Sequence, residues 1–274
     1  MKLGMVIRTM GPQSTRDTIL RCAAAAESAG IDEVWVPDHI AIAPDNSEGS
    51  GGRYLDPLAV LAFLAGTTQR IGLATGVLVL PYRPPLPTAK WVATIQELCS
   101  GRLSLGVGVG WLASEFAALG IDRTLRGRST DETLDLLLRC FATDEVEAHG
   151  QKFLFRPRPA RPPIFIGGTA PHALERAVRY GDGWIPMGGD PARLAAPILE
   201  LRELADRADK PSPEVVLMTG FDLSEPSRAA DQAHALASVG VTHFVHGSRY
   251  SDADAFRADA DALAEHLLPA LAEL

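Results

Sequence analysis

Aromatic residues make up only 6% of this 274-residue chain, so its core must come from Leu, Val, Ile and Ala rather than from stacked rings. Cysteine is scarce as well. Cys22, Cys99 and Cys140 form no CxxC pair and fall in predicted helices, which excludes a disulfide framework and reads them as small buried hydrophobes. No apolar run approaches the length of a membrane span, and the first residues lack a signal-peptide pattern. Positive charge is in deficit: 26 Lys and Arg against 34 Asp and Glu give a net charge of -8. Nucleic acid and anionic membranes are poor partners for such a chain, and plain solubility is the simplest meaning of the balance. The expectation is a soluble, cytoplasmic protein that works on a small molecule. Also missing are a Walker loop, a GxSxG elbow, an HExxH helix and a GxGxxG turn after the first strand, so the usual signatures of hydrolytic, zinc and Rossmann chemistry are absent.

Short apolar runs alternate with amphipathic segments along the whole length. Strands are predicted over 3–7, 33–36, 71–75, 103–107, 164–166, 183–186, 215–219 and 243–246. Helices are predicted over 15–29, from the Asp56-Pro57 cap to about 69, and over 88–98, 113–119 and 131–141. Four more are predicted over 171–180, 191–206, 226–239 and 252–267. Segments 145–148 and 153–155 flank His149-Gly150 and read as a short hairpin inserted before the fifth strand. Eight strand–helix units with no linker or composition shift imply one α/β domain over 1–274, closed as a (β/α)8 TIM barrel.

In such a barrel the chemistry gathers where the strands end. Glycine follows nearly every strand here, and so many on one rim suggest that backbone must approach a large flat ligand, although turn formation alone would explain one or two. Gly167-Gly168-Thr169 leads into a helix start and is the better phosphate site. Gly188-Gly189-Asp190 is ordinary capping, and Asp190 would repel an anion. His39 follows Trp35-Val36-Pro37-Asp38 at the mouth, where it either moves a proton or fastens a loop. Glu115 reads as a first-turn helix stabiliser. Arg8, Arg53 and Arg83 are candidates for an anionic substrate or cofactor tail. His172 and Glu175 lie three apart, but no companions complete a metal site.

Four segments carry a family resemblance: AESAGIDEVWVPDHI (26–40), TTQRIGLATGVLVLPYRPPLPTAKWVATI (67–95), SGRLSLGVGVGWLASEF (100–116) and PPIFIGGTAPHALERAVRYGDGWIP (162–186). GVTHFVHG (240–247) adds to them. Together they resemble the luciferase-like monooxygenases, the superfamily of bacterial luciferase and many coenzyme F420-dependent oxidoreductases. The resemblance implies hydride or electron transfer through a flavin or deazaflavin laid across the barrel mouth. It makes His39 the acid/base. Asp38, Thr75, Gly76, Val77, Gly106, Val107 and Gly108 would line the cofactor, and Gly167, Gly168 and Thr169 would take its phosphate. Arg8, Tyr82 and Trp111 fall on the substrate side. A non-prolyl cis peptide is implied at Gly76-Val77. The compact length, the Asp38-His39 pair and the ATGV segment resemble the F420 branch more than the FMN branch, in which a separate reductase feeds a monooxygenase. A non-catalytic flavin-binding barrel is the other alternative, and family members are often homodimers. Gln96-Glu97-Leu98-Cys99 departs from the Asp-x-Leu-Ser usual in relatives, on a helix away from the chemistry.

Overall fold

The computed structural model describes residues 1–272. Eight parallel strands close into a barrel in the order β1, β10, β9, β8, β7, β4, β3, β2. The strands are β1 (Lys2–Val6), β2 (Glu33–Val36), β3 (Gly72–Val79), β4 (Leu103–Gly108), β7 (Ile164–Gly167), β8 (Gly183–Ile185), β9 (Glu214–Thr219) and β10 (His243–His246). β5 (Glu145–Ala148) and β6 (Gln151–Leu154) pair antiparallel as the inserted hairpin. His149 and Gly150 turn it, both at positive φ (50° and 76°), the combination a two-residue hairpin loop requires. The outer layer comprises α1 (Arg16–Ser28), α2 (Pro57–Ala65), α3 (Pro85–Leu98), α4 (Ala113–Ala118), α5 (Arg126–Ala142), α6 (His172–Tyr180), α7 (Pro191–Arg207), α8 (Pro226–Ser238), α9 (Ala253–Ala262) and α10 (Leu268–Ala272).

The fold therefore has the expected order, and the differences have local causes. α2 stops at Ala65 because Thr67 and Thr68 turn their hydroxyls back onto the Leu64 carbonyl (3.3 and 2.7 Å). The next three amides, Gln69 to Ile71, donate to the Glu27 carboxylate instead of to a helix. α3 starts three residues early because Pro85 and Pro87 sit in its first turn, where no amide proton is needed. The predicted last helix is broken by a π-helical turn over Leu263–Leu267, just before Pro269, whose ring cannot follow a regular i−4 carbonyl. β3 runs on to Val79 rather than ending at Thr75. Its register against β4 shifts between Thr75 and Leu78, and the Gly76-Val77 peptide is cis, as the resemblance implied.

Two layers of apolar packing hold the barrel. Outward-facing Leu, Val, Ile and Ala meet the helices, with Cys22, Cys99 and Cys140 among them as buried free thiols. Inside, Trp35 and Phe165 fill the lumen with ring centroids 6.2 Å apart, beside Ala74, Ile185, Val216 and Val245. These rings need room. A Cβ on Gly4 would stand 2.7 Å from the Trp35 indole nitrogen, and one on Gly183 would stand 2.9 Å from Phe165. A Cβ on Gly106 would collide with the Thr75 carbonyl oxygen in the neighbouring strand. Gly106→Ala should therefore cost about 3 kcal/mol, an overpacking penalty against unyielding backbone. Gly66→Ala, with 3.7 Å to its nearest neighbour, should stay within about 0.5 kcal/mol. Urea denaturation of the two variants checks this, and equal midpoints would refute the steric account.

Candidate functional site

The β2–α2 segment carries His39 to the mouth of the barrel, where its side chain is 22% exposed. Its Nδ1 lies 2.8 Å from Oε2 of Glu115, a carboxylate with no exposed surface at all. Glu115 also accepts from the Ile40 and Ala41 amides (2.7 and 3.0 Å) and from the Tyr82 hydroxyl (3.0 Å). Burial alone would raise the Glu115 carboxyl. The donors from His39, Ala41 and Ile40 outweigh it and hold the group below its ordinary value, so it is ionised at neutral pH. An ionised carboxylate only accepts, so Nδ1 carries a proton and Nε2 is the ring nitrogen left to exchange one. Burial, then the Glu115 charge, pushes the Tyr82 phenol up, and it stays a donor. Tyr54 packs edge-on against the imidazole, with centroids 4.9 Å apart. Glu115 is thus more than a first-turn helix residue. Its position five residues beyond Gly110 gave no sign of the partner 76 residues earlier.

His39 opens onto a cavity of about 540 Å³ whose other walls include Val77, Tyr82, Gly108, Trp111, Ile185 and Met218. Trp111, Met187 and Ile40 leave an apolar brim, being 67%, 73% and 44% exposed. The remaining sequence candidates divide into those that line this cavity and those that sit behind it. Gly76, Val77, Gly108, Gly167, Gly168 and Thr169 line it. Thr75 is fully buried and spends its hydroxyl on the Gly106 carbonyl (2.7 Å), while Val107 faces the helices. Asp38 reaches the wall, but its carboxylate is taken by the Val79 amide (2.8 Å) and by a two-pronged bond from Arg83 (2.6 and 2.8 Å). Arg83 also meets Asp56 (2.8 Å), so it acts as a clamp between loops. Arg53 is likewise occupied by Ser14.

Several of the rim glycines have a local explanation. A Cβ on Gly108 or Gly167 would fall 2.8 or 2.9 Å from a methyl of Val77, so these positions are empty to seat that side chain. Gly110, Gly168 and Gly188, at φ 77°, 140° and 91°, are positions whose backbone itself asks for glycine.

From Val109, Gly167, Gly168 and Thr169 the cavity continues into a groove of about 880 Å³ over α5 and α6. Its acids are taken: Asp131 by Arg176 (2.6 Å), Glu132 by Arg128 (2.7 Å) and Asp135 by Arg139 (2.9 Å). Arg126 and Arg179 line it with no acid partner among the described residues, and sequence reading had singled out neither. α6 begins here without a side-chain cap. Among the described residues no cluster suits a metal ion; His172 and Glu175 are an exposed pair 3.6 Å apart.

Arg8 lies elsewhere. It lines a second cavity of about 570 Å³ with Val6, Met10, Glu48, Tyr54 and Arg249, on the β1–β10 side of the mouth.

Glu115→Gln keeps the shape but puts an amide where His39 and Tyr82 donate, which should cost about 1–3 kcal/mol at pH 7. Because the folded carboxyl is depressed, its stabilisation is fully present above the unfolded value of 4.5 and is lost as pH falls through the lower folded one. The gap between wild type and variant in thermal midpoint should therefore narrow below pH 4.5. A gap that does not change on acidification would contradict the assignment.

The luciferase-like monooxygenase family model matches residues 1–273. An uncharacterised Mycobacterium tuberculosis protein is 33% identical over 248 residues, 83% of each chain. Two other relatives are each 32% identical and align over about half of their own length. They are the 4-hydroxyprotoasukamycin monooxygenase of Streptomyces nodosus subsp. asukaensis (63% of this chain, 47% of that one) and the F420-dependent hydroxymycolic acid dehydrogenase of Mycobacterium tuberculosis (65% and 51%). Among solved structures, an F420-dependent secondary alcohol dehydrogenase in complex with an F420-acetone adduct superposes with a TM-score of 0.83 at 18% identity, over 98% of both chains. With a closed eight-strand barrel and the family's sequence pattern along nearly its whole length, the chain belongs to the luciferase-like monooxygenase family.

Proposed function

We propose that the protein is an F420-dependent oxidoreductase that moves hydride to or from a small organic substrate. The observation that carries this reading is the His39–Glu115 pair: an imidazole held through Nδ1 by a buried carboxylate, with Nε2 free at the wall of a mostly apolar cavity. The cavity volume and apolar walls suit a tricyclic ring. The groove beyond it, with Gly168, Thr169, Arg126 and Arg179, suits a phosphate followed by a longer anionic tail. That length and charge favour F420 over FMN, whose single phosphate would leave most of the groove unused. The F420-dependent relative points the same way, and the monooxygenase relative keeps FMN as the second reading. One domain over 1–274 and a cytoplasmic homodimer complete the proposal. Trp91 and Leu98, exposed two turns apart on α3, suit a face that a second copy covers.

When bound, the deazaflavin supplies hydride exchange at C5. The chain's own residues do the rest. His39 takes the hydroxyl proton of an alcohol on Nε2, or returns it to a carbonyl oxygen being reduced. The Glu115 carboxylate stabilises the imidazolium that forms and keeps the ring in one tautomer and orientation. Trp111, Met187 and Ile40 shield the reacting groups from water.

Fluorescence titration with oxidised and reduced F420, and in parallel with FMN, tests the cofactor. Micromolar binding of F420 is expected, and no binding of either redox form would end the proposal, with FMN binding in its place selecting the second reading. His39→Ala should slow turnover by about 100- to 10,000-fold while leaving F420 affinity within a few-fold. Unchanged turnover in that variant would remove His39 from the reaction, and cofactor binding with no turnover across a broad substrate panel would move the protein to a non-catalytic carrier.

A further inference from the structure

The second cavity holds a charge that the reaction above does not use. The Arg8 guanidinium is half-buried, and every acceptor around it is neutral: the Tyr250 carbonyl (3.3 Å) and the Gln13 amide oxygen turned toward it (2.6–3.0 Å). Its flat face lies 6.0 Å from the Tyr250 ring. Of the other half-buried arginines, Arg126 faces the groove across the mouth and the rest are compensated. Arg83, Arg161 and Arg176 each grip an aspartate at 2.6–2.7 Å. Arg102 sits on the Cys99, Ile71 and Thr68 carbonyls at the ends of α2 and α3, where helix dipoles supply negative potential. Arg8 is the one of these on the β1–β10 side of the mouth, and no carboxylate pairs with it there. Partly desolvated cations are stable when something neutralises them, and the open side is where it must come from.

Arg249 stands on the same wall, on the segment after β10, exposed and without an ion-pair partner among the described residues. Glu48 is the one acid on that wall. It lies exposed on the loop tip beside Gly49 and pairs with neither arginine. Val6 and Met10 give the cavity apolar walls, and Tyr54, which lines it, packs edge-on against His39 of the neighbouring cavity.

The barrel order gives the arrangement its meaning. β1 and β10 are neighbours, and the pair diametrically across the ring is β4 and β7, from which the cofactor groove departs. Two cationic positions thus face each other across the mouth with His39 between them, so two anions can bind together without competing.

We infer that the substrate carries an anionic oxyacid group, carboxylate or phosphate, which Arg8 and Arg249 bind while its apolar body reaches past Tyr54 to His39. The reaction at His39 rests on the proposed oxidoreductase reading; the anion site does not. Calorimetric titration of the whole protein with benzoate, phenyl phosphate and benzyl alcohol, with and without F420, tests it. Benzoate or phenyl phosphate should bind at least tenfold tighter than benzyl alcohol, and the tighter of the two identifies the group. Arg8→Met and Arg249→Met should each weaken that binding by about 10- to 100-fold, with Arg249→Lys recovering most of it and F420 affinity unchanged. Arg249 is exposed, so its variants fold whatever Arg8→Met does to the Gln13 and Tyr250 contacts. Equal binding of benzyl alcohol, full affinity in Arg249→Met, or parallel loss of F420 affinity would each overturn the inference. The anion pattern without binding of any cofactor would uphold it and discard the oxidoreductase reading instead.

Discussion

A single buried carboxylate organises the mouth of this barrel. Glu115 gathers four donors, from His39, Ile40 and Ala41 after β2 and from Tyr82 after β3. Its negative charge would be costly in that setting if any of them left, and each of them is a polar group that would be costly if Glu115 left. The mutual dependence fixes the path of the chain after β2, the position of the turn after β3 and the start of α4. The orientation of the His39 imidazole at the cavity wall follows from it.

Around that network the packing is unforgiving. Trp35 occupies the lumen only because Gly4 has no side chain, and Val77 projects into the mouth only because Gly108 and Gly167 have none. Asp38 and Arg83 then lock the β2 and β3 ends together from the outside. The floor and walls of the His39 cavity are therefore closely packed framework, whereas the rim above them is a set of exposed apolar side chains on loops. Preorganisation of this kind is what a hydride transfer needs, since most of its rate comes from holding donor and acceptor in one geometry.

How much of this was legible beforehand depends on the kind of contact. The eight units and their order follow from local periodicity, and so does the hairpin. The ends of elements were less readable, because they are decided by single distant groups: Glu27 captures the amides after α2, and Pro269 distorts a helix that looks continuous. At the site, His39 stood out through its position after a strand. Its partner did not, for the separation of 76 residues carries no local pattern. Rim glycines suggested a ligand pressed against backbone, yet Gly106, Gly108 and Gly167 turn out to accommodate Thr75 and Val77 of the protein itself. Arg53 and Arg83 looked available and are fully engaged, while Arg126 and Arg179 drew no notice and stand along the groove. Pairing is a three-dimensional property, and charge counts along a chain do not reveal it.

Tyr54 has a consequence for how such an enzyme can diversify. It hangs from a loop rich in left-handed glycines (Gly49, Gly51, Gly52), joined to the β1 end by a short bridge to Met10 and by Arg53 on Ser14, and none of the hydrogen bonds to Glu115 comes from it. The compartment it lines can be widened, narrowed or recharged by changing that loop while the hydrogen bonds from His39 and Tyr82 to Glu115 stay in place. On the proposed reading, recognition and chemistry are separate modules on one rim, and new substrates can be recruited without rebuilding the reaction.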